Sequence, residues 1–280
     1  MLVPSAVPAS AERSGRLEAA IARPLHTRLL NWLAWGSAGA ALTYAAWVSE
    51  ILGPKIIAGL PKLGAALFLM LVPTGFHHLP EFLWALLETI AMAFLGTLIG
   101  AVLAVPLALL CARTTFPIRL FQFGFRRFAD SLRTFDHLIW ALVFVRAVGL
   151  GPLAGIMAIA LVDLGTLAKL YSEAIDNASP QPVEGVRASG GSWLDGIRLG
   201  IFPQILPIML STALYMWESN TRSATILGIV GAGGIGYQLA DRLRVYEFGQ
   251  ASLMIILIIA AVYAIDLLSG YLRSRLIGRA

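Results

Sequence analysis

The sequence carries little charge for its length. Aspartate, glutamate, lysine and arginine together make up 13% of its 280 residues, whereas apolar residues make up 58%. Its mean hydropathy is +0.77. A soluble domain has about a quarter of its residues charged, because charged side chains cover the water-exposed surface. The composition therefore excludes an ordinary soluble domain and predicts a membrane protein.

The sequence also lacks the residues of several kinds of chemical site. Cys111 is the single cysteine, which excludes an intrachain disulfide and a cysteine-based metal site. Neither a nucleophile–base–acid arrangement nor a G-x-x-x-x-G-K phosphate loop is present. We therefore expect no enzyme activity, no metal site and no cofactor in this chain, and any ATP hydrolysis must come from a partner.

The positive charge of the chain does not indicate nucleic-acid binding. The net charge is +5 and the isoelectric point is near 9.7, but the basic residues are almost all arginines in short clusters between apolar runs. A nucleic-acid surface needs a basic stripe or patch. The clusters instead fit membrane topology, because lysine and arginine collect on the cytoplasmic side.

Apolar runs predict an all-α polytopic membrane protein. A membrane-spanning helix needs about 20 largely uncharged residues to cross roughly 30 Å of hydrocarbon. We expect a cytoplasmic tail over 1–28, a transmembrane domain over 29–280, and an outer connection at 50–80 with an interfacial piece near 60–71. About six spans are predicted, at 29–49, 89–112, 136–148, 150–171, 204–229 and 248–271.

Charge asymmetry sets the expected orientation of these spans. Segment 113–133 has five arginines against Asp130, whereas 50–88 has two lysines against three glutamates. The positive-inside rule places 113–133 in the cytoplasm and 50–88 outside. Six spans then leave both termini in the cytoplasm, together with the polar segment 172–203.

Within that polar segment, residues 180–203 predict a short helix, a turn and a second helix. Pro182 suits the first turn of a helix, and Gly190 and Gly191 supply left-handed positions that end it. Ser192 is expected to cap the second helix, with Asp195 in its first turn.

The spacing in this segment resembles the cytoplasmic coupling loop in membrane subunits of bacterial ABC importers. Those loops have Glu-Ala-Ala, a fixed glycine and a closing Leu-Pro. Here Glu184, Gly185 and Val186 stand at the first three positions, with Gly190 and Pro203 in register. Three positions depart from the pattern, namely Gly185 for alanine, Gly200 for isoleucine and Phe202 for leucine.

Among ABC importers, the chain is most similar to phosphonate-type permeases. The similar stretches are EAIDNASPQPVEGVRASGGS from Glu173, NTRSATILGIVGAGGIG from Asn220 and ALLETIAMAFLGTLIGAVLAVPLALLCAR from Ala85. They lie in a core of about 80–275. The glycine-rich part is shared with methionine and betaine importers, so it supports the superfamily better than the substrate.

The resemblance implies a transport subunit in the bacterial inner membrane. Two ABC ATPases, which bind ATP and magnesium, would contact the loop through residues that include Glu184, Gly185, Val186, Arg187, Gly190 and Pro203. A second permease, identical or paralogous, would complete the pathway, and an extracytoplasmic binding protein would deliver phosphonate, phosphite or phosphate. One alternative is an ABC permease for another small solute, of the methionine or betaine kind. The other is a secondary transporter driven by an ion gradient, which predicts internal repeats that this sequence does not show.

Residues 231–236 match the dinucleotide motif G-x-G-x-x-G. That motif needs a strand, a helix and an acidic residue about 20 positions further on, but Ile256 lies there, within an apolar run. Dinucleotide binding is therefore not expected. We expect Gly231, Gly233, Gly234 and Gly236 to permit a sharp, closely packed turn near the outer mouth, as outer-gate glycines.

Polar residues inside the spans need partners or a function, because charge at bilayer depth is costly. Arg222 suits a phosphorus oxyanion, or it pairs with Glu218 one turn earlier. Asn220 serves the pathway or only helix contacts. Asp163 either pairs across the bundle or lines a wet cavity. We take these four residues as candidates for the translocation path.

Overall fold

The computed structural model describes residues 25–49, 54–115 and 118–277. Helices dominate this part of the chain, and none of the described residues forms a strand, so the all-α prediction is confirmed. Contacts within the chain separate it into two units, Met1–Leu67 and Phe68–Ala280. Residues 1–24 of the predicted tail lie outside the described part of the chain.

The first unit contains α1, Leu25–Val48, which overlaps the predicted span 29–49. Its large side chains are exposed, as expected for a helix surrounded by lipid; Trp32, Trp35 and Trp47 are each more than three-quarters exposed. Helix α2, Pro54–Met70, begins in this unit and crosses its boundary. It covers most of the interfacial piece that the sequence predicts.

The second unit holds the remaining helices. A single 3₁₀ turn at Phe76–His78 leads directly into the first long helix of this unit. The α-helices are α3 (Leu79–Cys111), α4 (Arg119–Thr134), α5 (His137–Val148), α6 (Pro152–Asp176), α7 (Gln181–Ala188), α8 (Trp193–Asp195), α9 (Phe202–Leu227), α10 (Gly234–Arg244) and α11 (Phe248–Ile277). Wider π-helical turns, Gly196–Ile201 and Gly228–Ala232, adjoin the two ends of α9.

Helices α3 and α6 form the most extensive contact of the second unit. Small residues on α3 allow the close approach. A Cβ atom on Gly96 would lie 2.7 Å from the Cβ of Ile159, and one on Gly100 would lie 2.7 Å from the Cβ of Asp163. The pair therefore packs backbone against side chain, which fixes the position of Asp163 in the bundle.

Four helical segments among the described residues are long and apolar enough to cross a membrane: Phe76–Cys111, Pro152–Asp176, Trp193–Ala232 and Phe248–Leu276. They contain the predicted spans 204–229 and 248–271 completely, and nearly all of 89–112 and 150–171. The predicted span 136–148 corresponds to α5, an apolar helix of only 12 residues, which is too short to cross alone. The polytopic prediction is confirmed, and six remains an approximate number of spans.

Candidate functional site

The segment between α6 and α9 forms the helix–turn–helix that the sequence predicts. Pro182 lies in the first turn of α7. Gly190 follows α7 with φ of +86°, a left-handed conformation that favours glycine. Gly191 does not have a positive φ, so its predicted left-handed conformation is wrong. Its small size matters instead, because a Cβ atom there would lie 2.6 Å from Cγ1 of Val186.

Ser192 caps α8 as predicted. Its Oγ accepts a hydrogen bond from the Asp195 N–H at 3.3 Å, and its own N–H donates to Oδ2 of Asp195 at 2.9 Å. These reciprocal bonds form a capping box. The hydrogen bond from the Ser192 hydroxyl holds the pKa of Asp195 below its usual value. The bonds from Ser192 to the Asp195 carboxylate are therefore strongest near neutral pH and weaken as the pH falls through that lowered pKa, whereas the bond from the Asp195 N–H to the Ser192 hydroxyl does not depend on that charge.

A close backbone contact holds the two arms of the loop together. A Cβ atom on Gly200 would lie 2.8 Å from Cγ2 of Val183 and 3.0 Å from its Cα. Gly200 is one of the departures from the importer pattern, and here its lack of a side chain lets α7 pack against the turn before α9. The departure therefore has a structural reason.

Gln204 joins the two ends of the loop, a contact that the sequence analysis missed. Its Nε2 donates to the carbonyl oxygens of Ser179 at 3.2 Å and Gly200 at 2.6 Å. Its Oε1 accepts from the Ser179 N–H at 3.0 Å. Ser179 precedes α7 and Gln204 lies in the first turn of α9, so the loop is tied at its base.

The loop presents an exposed face of mixed character. Glu184, Gly185, Arg187 and Gly190 are exposed, Val186 is half-buried, and Pro203 lies exposed in the first turn of α9. Trp193, Leu194 and Leu199 are at least half exposed. Neither Glu184 nor Arg187 has an ion-pair partner within the described ranges. Charged and apolar side chains are thus both available to a binding partner.

Asp163 lies in a polar cluster at the centre of the helix bundle. Its side chain is fully buried, and its Oδ2 accepts a hydrogen bond from Nδ2 of Asn220 at 2.6 Å. The same amide nitrogen donates to Oγ1 of Thr97 at 2.8 Å. Nε2 of His137 lies 4.0 Å from Oδ1 of Asp163, too far for a hydrogen bond. Asp163 thus pairs across the bundle through Oδ2, but its Oδ1 has no hydrogen-bond partner among the described residues, so a wet cavity at this position stays a prediction.

Arg222 belongs to a second polar cluster on α9. Glu218 is nearly buried and accepts a hydrogen bond from Nη2 of Arg273 on α11 at 3.0 Å. Nη1 of Arg222 lies farther from Glu218, at 3.7 Å, and the Arg222 side chain is 51% exposed. The i,i+4 pair expected from the sequence exists, but Arg273 is the closer partner. Arg222 is therefore held loosely and remains accessible.

The glycine motif forms a tight turn between α9 and α10. Gly231, Gly233 and Gly234 all have positive φ, and the Ile235 N–H donates to Oγ1 of Thr89 at 2.9 Å. A Cβ atom on Gly236 would overlap the carbonyl oxygen of Thr225. The turn is sharp and closely packed, as predicted. The segment before it is helical rather than a strand, which removes the context that dinucleotide binding requires.

Comparison with known proteins identifies the family. Residues 104–278 match the binding-protein-dependent transport system inner membrane component family. The chain belongs to this family. The match extends from the last quarter of α3 to one residue beyond α11, so it contains the loop, the glycine turn and all members of the two polar clusters except Thr97. The protein is therefore a multi-pass membrane component of a transport system.

Curated relatives of this family resemble the chain over most of its length. It is 40% identical over 218 residues to the phosphate-import permease protein PhnE of Mycolicibacterium smegmatis. The aligned region covers 78% of this chain but only 41% of that protein. It is 35% identical to the phosphite transport system permease protein PtxC of Stutzerimonas stutzeri, with 82% of this chain and 83% of the relative covered.

A solved structure of the family's fold gives the same architecture. The inward-facing MetNI methionine ABC transporter has a chain that matches with a TM-score of 0.64 and 20% identity, over 72% of this chain and 99% of that one. At this identity, the likeness supports the permease fold and not the substrate.

Proposed function

We propose that this chain is the transmembrane permease subunit of an ATP-driven ABC importer, and that it forms the path for phosphonate, phosphite or phosphate. The observation that carries the substrate class is the similarity to a phosphite permease across more than four-fifths of both chains. The phosphate-import relative adds to it over a smaller part of its own length.

In this proposal, the loop from α7 to the start of α9 contacts the ATPases in the cytoplasm. Two ATPase subunits bind ATP and magnesium, a second permease completes the pathway, and an extracytoplasmic protein delivers the solute. The exposed Trp193 and Leu194 enter a groove of the ATPase, as amphipathic helices do, and Glu184 and Arg187 pair with its charges at the rim. Closure of the ATPases then pushes the loop and tilts the attached helices.

The loop can transmit such a push because it is tied to two spans. Asn177 follows α6 directly, Gln204 lies within α9, and the bonds between Gln204 and Ser179 connect the two ends. A force on α7 is therefore passed to both helices. The buried hydrogen bond from Asn220 to Asp163 joins the same helices deeper in the bundle, so they move as a unit.

Arg222 is the residue we assign to the solute. Its guanidinium is half exposed, and a guanidinium binds two oxygens of a phosphorus oxyanion in a planar fork. Glu218, which is hydrogen-bonded to Arg273, lies 3.7 Å from Arg222 on the buried side and leaves the guanidinium free to bind the solute. We further propose that the tight turn at 231–236 contributes to the outer gate.

The proposal is tested by uptake into proteoliposomes that contain the permease and its ATPase, with the binding protein outside. We expect accumulation of radiolabelled phosphite or phosphate that requires ATP and survives collapse of ion gradients. Uptake that follows an ion gradient without ATP would contradict the importer function. ATP-dependent uptake of methionine or betaine, but of no phosphorus oxyanion, would contradict the substrate class.

The role of Arg222 is tested by Arg222→Lys, with Arg275→Lys as the control, because Arg275 is an exposed arginine that contacts only Tyr271 among the described residues. Lysine keeps the charge near Glu218 but not the fork. We expect the Arg222 variant to lose about tenfold in uptake, the loss of one charge-assisted hydrogen bond. Uptake equal to the control would show that Arg222 serves only the ion pair.

A further inference from the structure

A basic cavity of about 900 Å³ lies between the end of α3, the polar face of α4 and the second half of α6. None of the residues discussed above as pathway or loop candidates lines it. Five cationic side chains and two carboxylates do so: Arg113, Arg119, Arg126, Arg127 and Lys169, with Asp130 and Glu173. The lining is therefore strongly positive.

The floor of this cavity is fixed by hydrogen bonds across three segments. Arg126 donates from Nε to the carbonyl oxygen of Cys111 at 2.8 Å and from Nη2 to Oδ2 of Asp176 at 2.9 Å. Gln122 donates to the same Cys111 oxygen at 3.1 Å. Oδ1 of Asp176 accepts from the Arg113 N–H at 2.6 Å. These bonds hold α4 at the ends of α3 and α6, so the cavity is a built feature.

The carboxylates that line the cavity are already engaged. Oδ1 of Asp130 accepts from Nε and Nη2 of Arg133 at 3.1 and 2.9 Å, which keeps the pKa of that carboxyl below its usual value. Arg127 lies 3.4 Å from the other oxygen of Asp130, with its guanidinium 5.0 Å from the centre of the Phe123 ring. Glu173 lies 4.0 Å from Nζ of Lys169.

Two arginines of the cavity remain without an ion-pair partner. Within the described ranges, neither the Arg113 nor the Arg119 side chain lies within 4.0 Å of a carboxylate. The positive-inside rule explains why arginines lie on this side of the membrane. It does not explain why arginines from different segments converge on one concave, hydrogen-bonded surface.

We propose that this cavity is a binding site for the phosphate group of an anionic ligand. Its volume is within the range of about 300–1,000 Å³ typical of ligand sites, and several guanidinium groups can share one oxyanion in charge-assisted hydrogen bonds. The proposal depends only on the cavity. A further step, that this ligand is the transported solute as it leaves the pathway for the cytoplasm, rests on the proposed function.

Two sources provide the same chemistry. A free phosphorus oxyanion can enter from the aqueous side, where Arg127 and Lys169 are partly exposed. A phospholipid headgroup can enter from the membrane, because Leu120, Phe121 and Phe128 form an exposed apolar face on α4, the helix that carries Arg127. Aromatic and basic side chains on one amphipathic helix are typical of membrane interfaces.

The first arm of the test titrates inorganic phosphate into the full-length chain in phosphatidylcholine nanodiscs by calorimetry. The variant is Arg113→Gln/Arg119→Gln. The control is Arg242→Gln/Arg244→Gln, which removes the same charge from α10, outside the cavity. We expect the cavity variant to weaken phosphate binding at least about tenfold, through loss of charge-assisted bonds, and the control to bind like the unmodified chain.

The second arm counts phosphatidylglycerol molecules retained by the same three proteins in native mass spectrometry, after extraction from mixed vesicles of phosphatidylcholine and phosphatidylglycerol. If a headgroup occupies the cavity, the unmodified chain and the control retain a phosphatidylglycerol molecule that the cavity variant loses.

Loss in either arm supports the site and identifies its source. The proposal is overturned if the variant and the control behave alike in both arms. Should the double variant fail to fold, as judged by size-exclusion chromatography, Lys169→Gln serves in its place with the same expectations. Neither arm involves ATP or transport, so failure of the proposed function would leave this result unaffected.

Discussion

Two glycine-rich segments adjoin α9, one before its first turn and one after its last, and they use glycine in different ways. In the loop at 181–201, Gly185 and Gly190 are exposed, and neither has an atom within 4 Å of the place where a side chain would be. In the turn at 228–236, a side chain on Gly228 or Gly236 would meet backbone atoms.

The comparison separates two functions of glycine that look alike in the sequence. The turn is closed, because its backbone atoms are in contact with each other and with α3. The described residues of the loop are held at its base by Gln204 and within it by the contacts of Val183 and Val186, while Gly185 and Gly190 stay open. Substitutions in the turn should therefore affect folding, whereas those in the loop should affect coupling and leave the folded protein intact.

The largest effect is expected from Gly236→Ala. The added Cβ atom would overlap the carbonyl oxygen of Thr225, and backbone atoms cannot move aside as a flexible side chain can. Overpacking usually costs about 1–3 kcal/mol and more where nothing can shift. We expect little monodisperse protein after detergent extraction. Gly270→Ala is the control, since no atom lies within 4 Å of that position; equal yields of the two variants would show that the turn is not closed.

The next effect is expected from Glu184→Lys and Gly190→Asp in the loop. Both positions are exposed, so membrane insertion should be unchanged. Glu184→Lys should keep the thermal stability of the unmodified chain, whereas Gly190→Asp puts a side chain on a backbone with φ of +86° and should cost about 1 kcal/mol. We expect uptake to fall at least about tenfold, because reversing a charge at a partner's surface costs several kcal/mol. Glu247→Lys, another exposed glutamate, is the control. Unchanged uptake in both loop variants would contradict the assignment of the loop.

A smaller effect is expected from Gly200→Ala, which forces α7 away from the turn before α9. The Cβ atom would lie 2.8–3.0 Å from atoms of Val183, whereas at Gly196 the nearest atom of Val183 is at 3.4 Å. We expect a several-fold loss of uptake for Gly200→Ala, little loss for Gly196→Ala, and partial recovery when Val183→Ala is added. Equal effects of the two glycine substitutions would show that this contact does not hold the loop.

The smallest effect is expected from Gly185→Ala, which introduces the residue that importer loops usually have. The position is helical and open, so alanine should stabilise α7 by up to about 1 kcal/mol. Hydrogen exchange measured by mass spectrometry should show slower exchange over α7 with uptake maintained. Faster exchange, or reduced uptake, would mean that a partner contacts the backbone at Gly185.

Local features of the loop are predictable from sequence. The position of Pro182, the left-handed Gly190 and the Ser192 cap each depend on residues a few positions apart, and all three are confirmed. Gly191 was misassigned because its requirement is spatial: Val186 lies where its side chain would be.

Contacts between distant segments were not predictable in the same way. The pair of Glu218 and Arg222 follows from helical spacing, but the closer Arg273 comes from α11, 55 residues away. The partnership of Asp163 with Asn220 and the closure of the loop by Gln204 likewise depend on how helices pack. The clustered arginines of 113–133 indicated only topology in the sequence, and their convergence on a cavity needed the folded chain.

The central claim, that the loop at 181–201 binds an ATPase, is tested most directly by site-specific cross-linking. Cys111 is the single cysteine and is buried, so Glu184→Cys provides one accessible thiol for a photoactivatable maleimide. In the assembled complex, we predict an adduct between the permease and its ATPase that changes in yield when ATP is added. An active complex that gives no ATPase adduct from position 184, while a probe at an exposed position elsewhere does, would contradict the account.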